Sequence, residues 1–161
     1  MIRNLMQKFQ EHLVKGQDLA LLFLRVGVGV ILAAHGVMKL ADPVGTAEQF
    51  ASLGIPLPWV AMLLAIAAEF VGGLGLVLGA LTRAAALGPL LVMLGAILAV
   101  HLGNGLFAKN GGWEYPLTLL LVSFLFVVRG GGAYSFDAWR KRVRAGAQAA
   151  RATAVHASTT A

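Results

Sequence analysis

The chain of 161 residues contains no cysteine. That absence excludes a disulfide framework, thiol redox chemistry, cysteine-ligated iron–sulfur clusters and c-type haem attachment within it. Charge is scarce. Charged residues make up 12% and hydrophobic residues 58%, where a soluble domain carries about 25% charged residues. The deficit excludes an ordinary soluble enzyme. It also excludes a disordered chain, which needs high charge and low hydrophobicity. Close carboxylate pairs, a Gly-rich phosphate loop after a strand and a nucleophile elbow are all missing. Acids are the rarer charge, with 7 Asp+Glu against 13 Lys+Arg. In a soluble protein this balance would suggest nucleic acid. Here the basic residues stand mainly outside the apolar segments, so the balance reports membrane topology, and no nucleic-acid partner is expected.

Apolar length and glycine are what the chain has in excess. Mean hydropathy is +0.79, and the 20 glycines suit close helix approach within a bilayer. A membrane-crossing helix needs about 20 mostly apolar residues. Four segments read as candidates, at about 19–41, 58–80, 84–107 and 113–129, the last being short. They are too long for strands and do not alternate. Pro58 and Pro116 suit first-turn positions, and Pro89 should kink the third segment. Trp59, Trp113 and Tyr115 stand where an interfacial aromatic belt would lie. The expected fold is all-α, an integral membrane four-helix bundle.

Lys and Arg set its orientation. Arg3, Lys8, Lys15, Arg83, Arg129, Arg140, Lys141, Arg142, Arg144 and Arg151 fall on one side, against Lys39 and Lys109 on the other. Both termini are therefore expected in the cytoplasm, with loops 42–57 and 103–112 exported. Arg25 interrupts the first apolar run, which argues against a signal peptide. Residues 1–17 are expected to form an amphipathic helix on the membrane surface. Ile2, Leu5, Met6, Phe9 and Leu13 share one face, with Lys8, Glu11, His12 and Lys15 largely elsewhere. Residues 18–134 hold the bundle. Residues 135–161 read as a basic helix with Ser135 as N-cap and Phe136, Trp139 and Val143 on one face, fraying beyond Ala145.

Ionisable groups inside a bilayer cost about 2.5–3.5 kcal/mol on insertion scales and need a reason. Glu69 lies midway along the second segment and shares a face with Ala61, Ala65, Gly72 and Gly73, so it should point into the bundle. Gly75 and Gly79 offer a second close-packing pair. Arg25 lies at a depth about 6 Å from that of Glu69, and a structural Arg25–Glu69 ion pair is the expectation. His35 and Lys39 share a face near the exported end of the first segment. With His101 and Glu114 they form a candidate ligand-binding pocket on that side. Solvated rims and local hydrogen bonds account for the same four residues without a ligand. Two histidines on two helices leave b-type haem open, and His35, His101 and Glu114 leave zinc or copper(II) open. Spacing alone carries neither, and no metal ligands are assigned.

Leu24-Arg25, His35-Gly36 and Lys39 resemble the DoxX family of small membrane proteins. So do Glu69 with Gly72, Gly73, Leu78, Gly79, Thr82 and Arg83, and Gly111-Gly112 with Glu114. Gly132 and Ser135-Phe136-Asp137 complete the likeness, which covers residues 19–138. The C-terminal extension departs from it. The resemblance implies a four-helix membrane bundle, here placed in a bacterial cytoplasmic (inner) membrane. It implies a membrane subunit of a quinone-linked oxidoreductase system, with quinone as cofactor. In that role Glu69 is the candidate proton carrier, and His35 or Lys39 would hydrogen-bond a quinone carbonyl. Burial favours a neutral carboxylic acid, whereas a guanidinium partner favours the carboxylate. The implied partners are the lipid bilayer, a soluble or membrane partner protein, and a second copy in a homo-oligomer. The competing reading is a non-enzymatic anchor or scaffold, or a module handling a small solute or metal.

Overall fold

The computed structural model describes residues 2–159. The side chains of Lys8 and Glu11, and the last two residues of the expected tail, lie outside the described residues. All regular structure among the described residues is helical.

Helix α1 spans Ile2–Ala41 without a break. Forty residues rise about 60 Å, twice the roughly 30 Å of a hydrocarbon core. The helix expected over 1–17 is present and continues into the first apolar segment without a break. No proline stands before the apolar run, and a single Gly16 costs a helix only about 1 kcal/mol. The expected first loop also contains a helix, α2 over Pro43–Ser52. Its N-cap Asp42 accepts the Gly45 N–H at 2.9 Å, and Pro43 occupies the first turn.

Helix α3 runs over Pro58–Leu78, with a π turn at Ala67–Val71. It ends because Gly79 adopts φ 67°, the left-handed conformation of a C-cap. Gly79 is thus a helix stop as well as a point of close packing, where a Cβ would fall 2.7 Å from the Ser135 Cβ, and one at Gly75 would fall 2.6 Å from the Ala85 Cβ. Helix α4 spans Thr82–Asn104. It passes through Pro89 and carries a second π turn at Ile97–His101. Helix α5 covers Glu114–Arg129, and α6 covers Phe136–Thr159. The helix continues past Ala145 to Thr159, through the Ala-rich stretch expected to fray, in keeping with the high helix propensity of alanine. Ser135 does cap α6, its Oγ accepting the Ala138 N–H at 3.1 Å.

Helix packing follows chain order, α1 on α3, α3 on α4 and α4 on α5, while α2 leans on α3. Val28, Leu32, Leu76, Ala86, Met93, Leu119 and Phe126 form the core. Glycine lets the backbones meet. A Cβ at Gly73 would fall 2.5 Å from the Ala33 amide, and one at Gly72 would fall 2.6 Å from the Ala85 carbonyl. Three helices, α1, α3 and α4, are long and apolar enough to cross a membrane. Only 33%, 33% and 22% of their apolar windows is buried in the protein. The remaining apolar surface needs an apolar solvent, which a bilayer supplies.

Candidate functional site

At the end of the bundle near the termini, buried polar side chains are tied mainly to backbone. Arg25 is only 1% exposed. Its Nη1 donates to the carbonyls of Leu76 at 2.5 Å and Val77 at 3.0 Å, and its Nη2 to Tyr134 at 3.2 Å. The last carbonyls of α3 have no partner within the helix, and their partial negative charge draws the guanidinium. Asp137 caps α4 from a distant part of the chain. Its carboxylate accepts the N–H groups of Leu81 and Thr82 and the Thr82 hydroxyl, each at 2.8 Å. Partial burial works to raise its pKa. The hydrogen bonds from Thr82 and Leu81, with Lys141 nearby, outweigh burial and hold the carboxyl below its ordinary value. Asp18 accepts the Ala133 N–H at 3.0 Å and fastens α1 to the α5–α6 link.

Toward the other end, two side chains meet each other. Lys39 Nζ donates to Glu69 Oε2 at 2.5 Å. Glu69 is 3% exposed and Lys39 21%. Among the described residues this is the one ion pair. Its position follows from two local features. Glu69 sits in the π turn at Ala67–Val71, and such turns recur at functional sites. Gly36 lies beneath that turn, where a Cβ would stand 2.5 Å from the Phe70 amide. The missing side chain lets α1 approach, and Lys39, about one turn further on, reaches Glu69.

His35, four residues before Lys39 on α1, stands beside Tyr115, their ring centroids 6.1 Å apart with a 33° tilt. The His35 Nδ1–H donates to the Ile31 carbonyl at 2.9 Å, which leaves Nε2 available in the neutral ring. The second π turn carries His101, whose Nδ1–H donates to the Gly111 carbonyl at 2.6 Å. Asn104 reaches the same carbonyl at 3.2 Å, and Glu114 accepts the Ala108 N–H at 2.6 Å.

These contacts correct two expectations. Arg25 does not pair with Glu69. The register of α1 on α3 sets Gly36 against Phe70 and Gly29 against Gly73 and Val77. Antiparallel travel from that register brings Arg25 level with the end of α3 and Lys39 level with Glu69. His35, Lys39, His101 and Glu114 also do not form one pocket. His101 and Glu114 brace the 103–112 loop through backbone groups, while Lys39 binds Glu69 and His35 stands beside Tyr115. Among the described residues, no three His, Asp or Glu side chains are grouped to hold a metal ion. Sequence reasoning missed Asp137 as a cap, Asp18 as a tether and Tyr115 as a neighbour of His35. Only Asp137 had a local signal, two residues after the Ser135 cap.

The DoxX family profile matches residues 20–102. The chain is 32% identical over 123 residues to "Putative oxidoreductase CatD" of Bacillus subtilis (strain 168), covering 76% of this chain and 88% of that protein. It is 28% identical over 122 residues to "Inner membrane protein YphA" of Escherichia coli (strain K12), covering 73% and 87% respectively. No solved structure matches it.

Proposed function

The chain belongs to the DoxX family of membrane proteins, and from that premise we propose that it is the membrane subunit of a quinone-linked oxidoreductase system. The Lys39–Glu69 pair is its reactive centre. In this reading α5 is a fourth membrane span beside α1, α3 and α4. The excess of Lys and Arg at the termini places both in the cytoplasm. The name of the Escherichia coli relative supports the inner membrane, and that of the Bacillus subtilis relative supports redox chemistry.

The observation that carries the proposal is an acid and a base that bind each other inside an apolar bundle. An ion pair of this kind adds little net stability, because desolvation offsets its attraction. A ligand able to take over one partner can therefore open it. The donor set fits a quinone headgroup. Lys39 presents ammonium N–H groups to a carbonyl oxygen, and the buried Glu69 carboxyl can exchange a proton.

When bound, a quinone supplies two-electron, two-proton acceptor chemistry. The chain's own residues do the rest. Lys39 would hold the headgroup through an ammonium N–H, and Glu69, released from Lys39, would hold or give up the proton that such chemistry requires. His35 Nε2 and the Tyr115 hydroxyl complete the polar edge. The electrons come from a partner protein.

Organic extracts of mildly purified protein, compared with empty membranes by mass spectrometry, test this. Stoichiometric quinone that disappears in E69Q supports the reading. Phospholipid alone, or E69Q with unchanged quinol-coupled turnover, overturns it. The anchor or scaffold alternative is favoured by one observation, the exposed basic helix continuing to Thr159. Deleting residues 145–161 separates the two readings: loss of partner recovery with quinone retained assigns the tail to docking alone.

A further inference from the structure

We propose that a cavity at the terminal end of the bundle binds the phosphate of an anionic phospholipid headgroup. The cavity measures about 590 Å³ and opens between α1, the end of α3, the α5–α6 link and α6. Lys15 and Arg142 line it with Asp18, Leu78, Tyr134 and Trp139.

Its depth comes from the chain itself. Lys15 and Asp18 stand just before the apolar run of α1, and Leu78 is the last residue of α3. The residues that close the cavity belong to the link after α5. The cavity therefore lies where the apolar segments end, the level that headgroups occupy. Trp139 and Tyr134 are 52% and 54% exposed there. Amphipathic rings favour that level.

Its chemistry favours a phosphodiester. Lys and Arg side chains only donate hydrogen bonds, and phosphate oxygens only accept them. Arg142 is already steadied by donating from Nη1 to the Ala133 carbonyl at 3.4 Å. Asp18 is the one acid on the wall, and its Oδ1 is turned to the Ala133 N–H. Two cations against one tethered carboxylate leave the wall net positive. Arg140, Lys141 and Arg144 on the same helix add to the attracting field. The apolar part of the wall points to a lipid rather than free phosphate. Leu78 is 65% exposed and Phe136 48%. The Phe136 and Trp139 rings pack 5.1 Å apart. These surfaces offer an acyl chain a continuous path from the headgroup onto α3.

Native mass spectrometry of the full chain tests the site, in neutral detergent with equimolar palmitoyl-oleoyl phosphatidylglycerol and phosphatidylcholine. The expected result is retention of phosphatidylglycerol over phosphatidylcholine, weakened about tenfold in K15Q/R142Q and by less than about twofold in R140Q/R144Q. The second variant removes the same charge from the same end without touching the wall. Both lining cations are exposed, so K15Q/R142Q keeps its helices, which circular dichroism checks. Equal retention of the two lipids overturns the proposal. Equal losses in the two double variants overturn it as diffuse attraction. Displacement by equimolar inorganic phosphate overturns it in favour of a free-phosphate site.

Discussion

The two ends of this bundle handle buried charge in opposite ways. Near the termini, Arg25 gives its N–H groups to the carbonyls that close α3, and Asp137 takes up the amides that open α4. Each charge neutralises a helix end, and no ligand can replace a partner without unmaking the turn. Toward the other end, Lys39 and Glu69 neutralise only each other. Both helices would keep their backbone bonds if that pair opened. Charge fastened to backbone builds the fold, and charge fastened to another side chain is free for chemistry.

The comparison would break first at Arg25. Replacing it with leucine removes three hydrogen bonds from a charged donor to the carbonyls of Leu76, Val77 and Tyr134. Unfolding in detergent should lose about 3 kcal/mol or more. A loss below about 1 kcal/mol would mean the terminal end does not depend on this anchor.

Gly36 tests the other end by geometry. A valine there must push α1 off the π turn, with an expected loss of about 2 kcal/mol from overpacking. Lys39 should separate from Glu69 at the same time, so bound quinone should fall with stability. Retained quinone would show that the close approach does not position the pair.

Asp137→Ala should cost about 1–2 kcal/mol at neutral pH, as loss of an N-cap does. The sign of its pH dependence follows from the depressed pKa. A carboxyl whose folded pKa lies below its unfolded value stabilises the fold fully above the ordinary value of 3.8. That contribution is lost as pH falls through the lower folded value. The gap between wild type and variant should therefore stay constant above that range and shrink below it. A gap that widened on acidification would contradict the cap.

The smallest stability effect belongs to the pair itself. K39M/E69Q removes both charges together and should lie within about 1 kcal/mol of wild type. Quinone retention should nevertheless vanish. A double variant that unfolds would make the pair a structural fastener like Arg25, and the contrast between the two ends would disappear.

Much of this was legible in the residues. Apolar length gave the membrane character, and three of the four expected spans are helices long enough to cross. The Asp42-Pro43 start of α2 was also written locally, as an N-cap before a first-turn proline, although the stretch reads as a loop by hydropathy. Glu69 stood out because a carboxylate among glycines and alanines has to face a neighbour. Its partner did not. Depth counted from the membrane edge brings Arg25 within reach of Glu69. The glycine contacts that set the register bring Lys39 there instead.

Sequence by itself determined that this chain is helical, that its helices need lipid around them, and which few ionisable residues had to be turned inward. Those follow from composition and period, which every residue carries with it. The tertiary structure alone decided which charges met. Pairing across helices depends on a slide of about one or two turns, and that slide was set by where glycine lets two backbones touch. The same slide turned Arg25 into a cap for α3 and left Glu69 to Lys39.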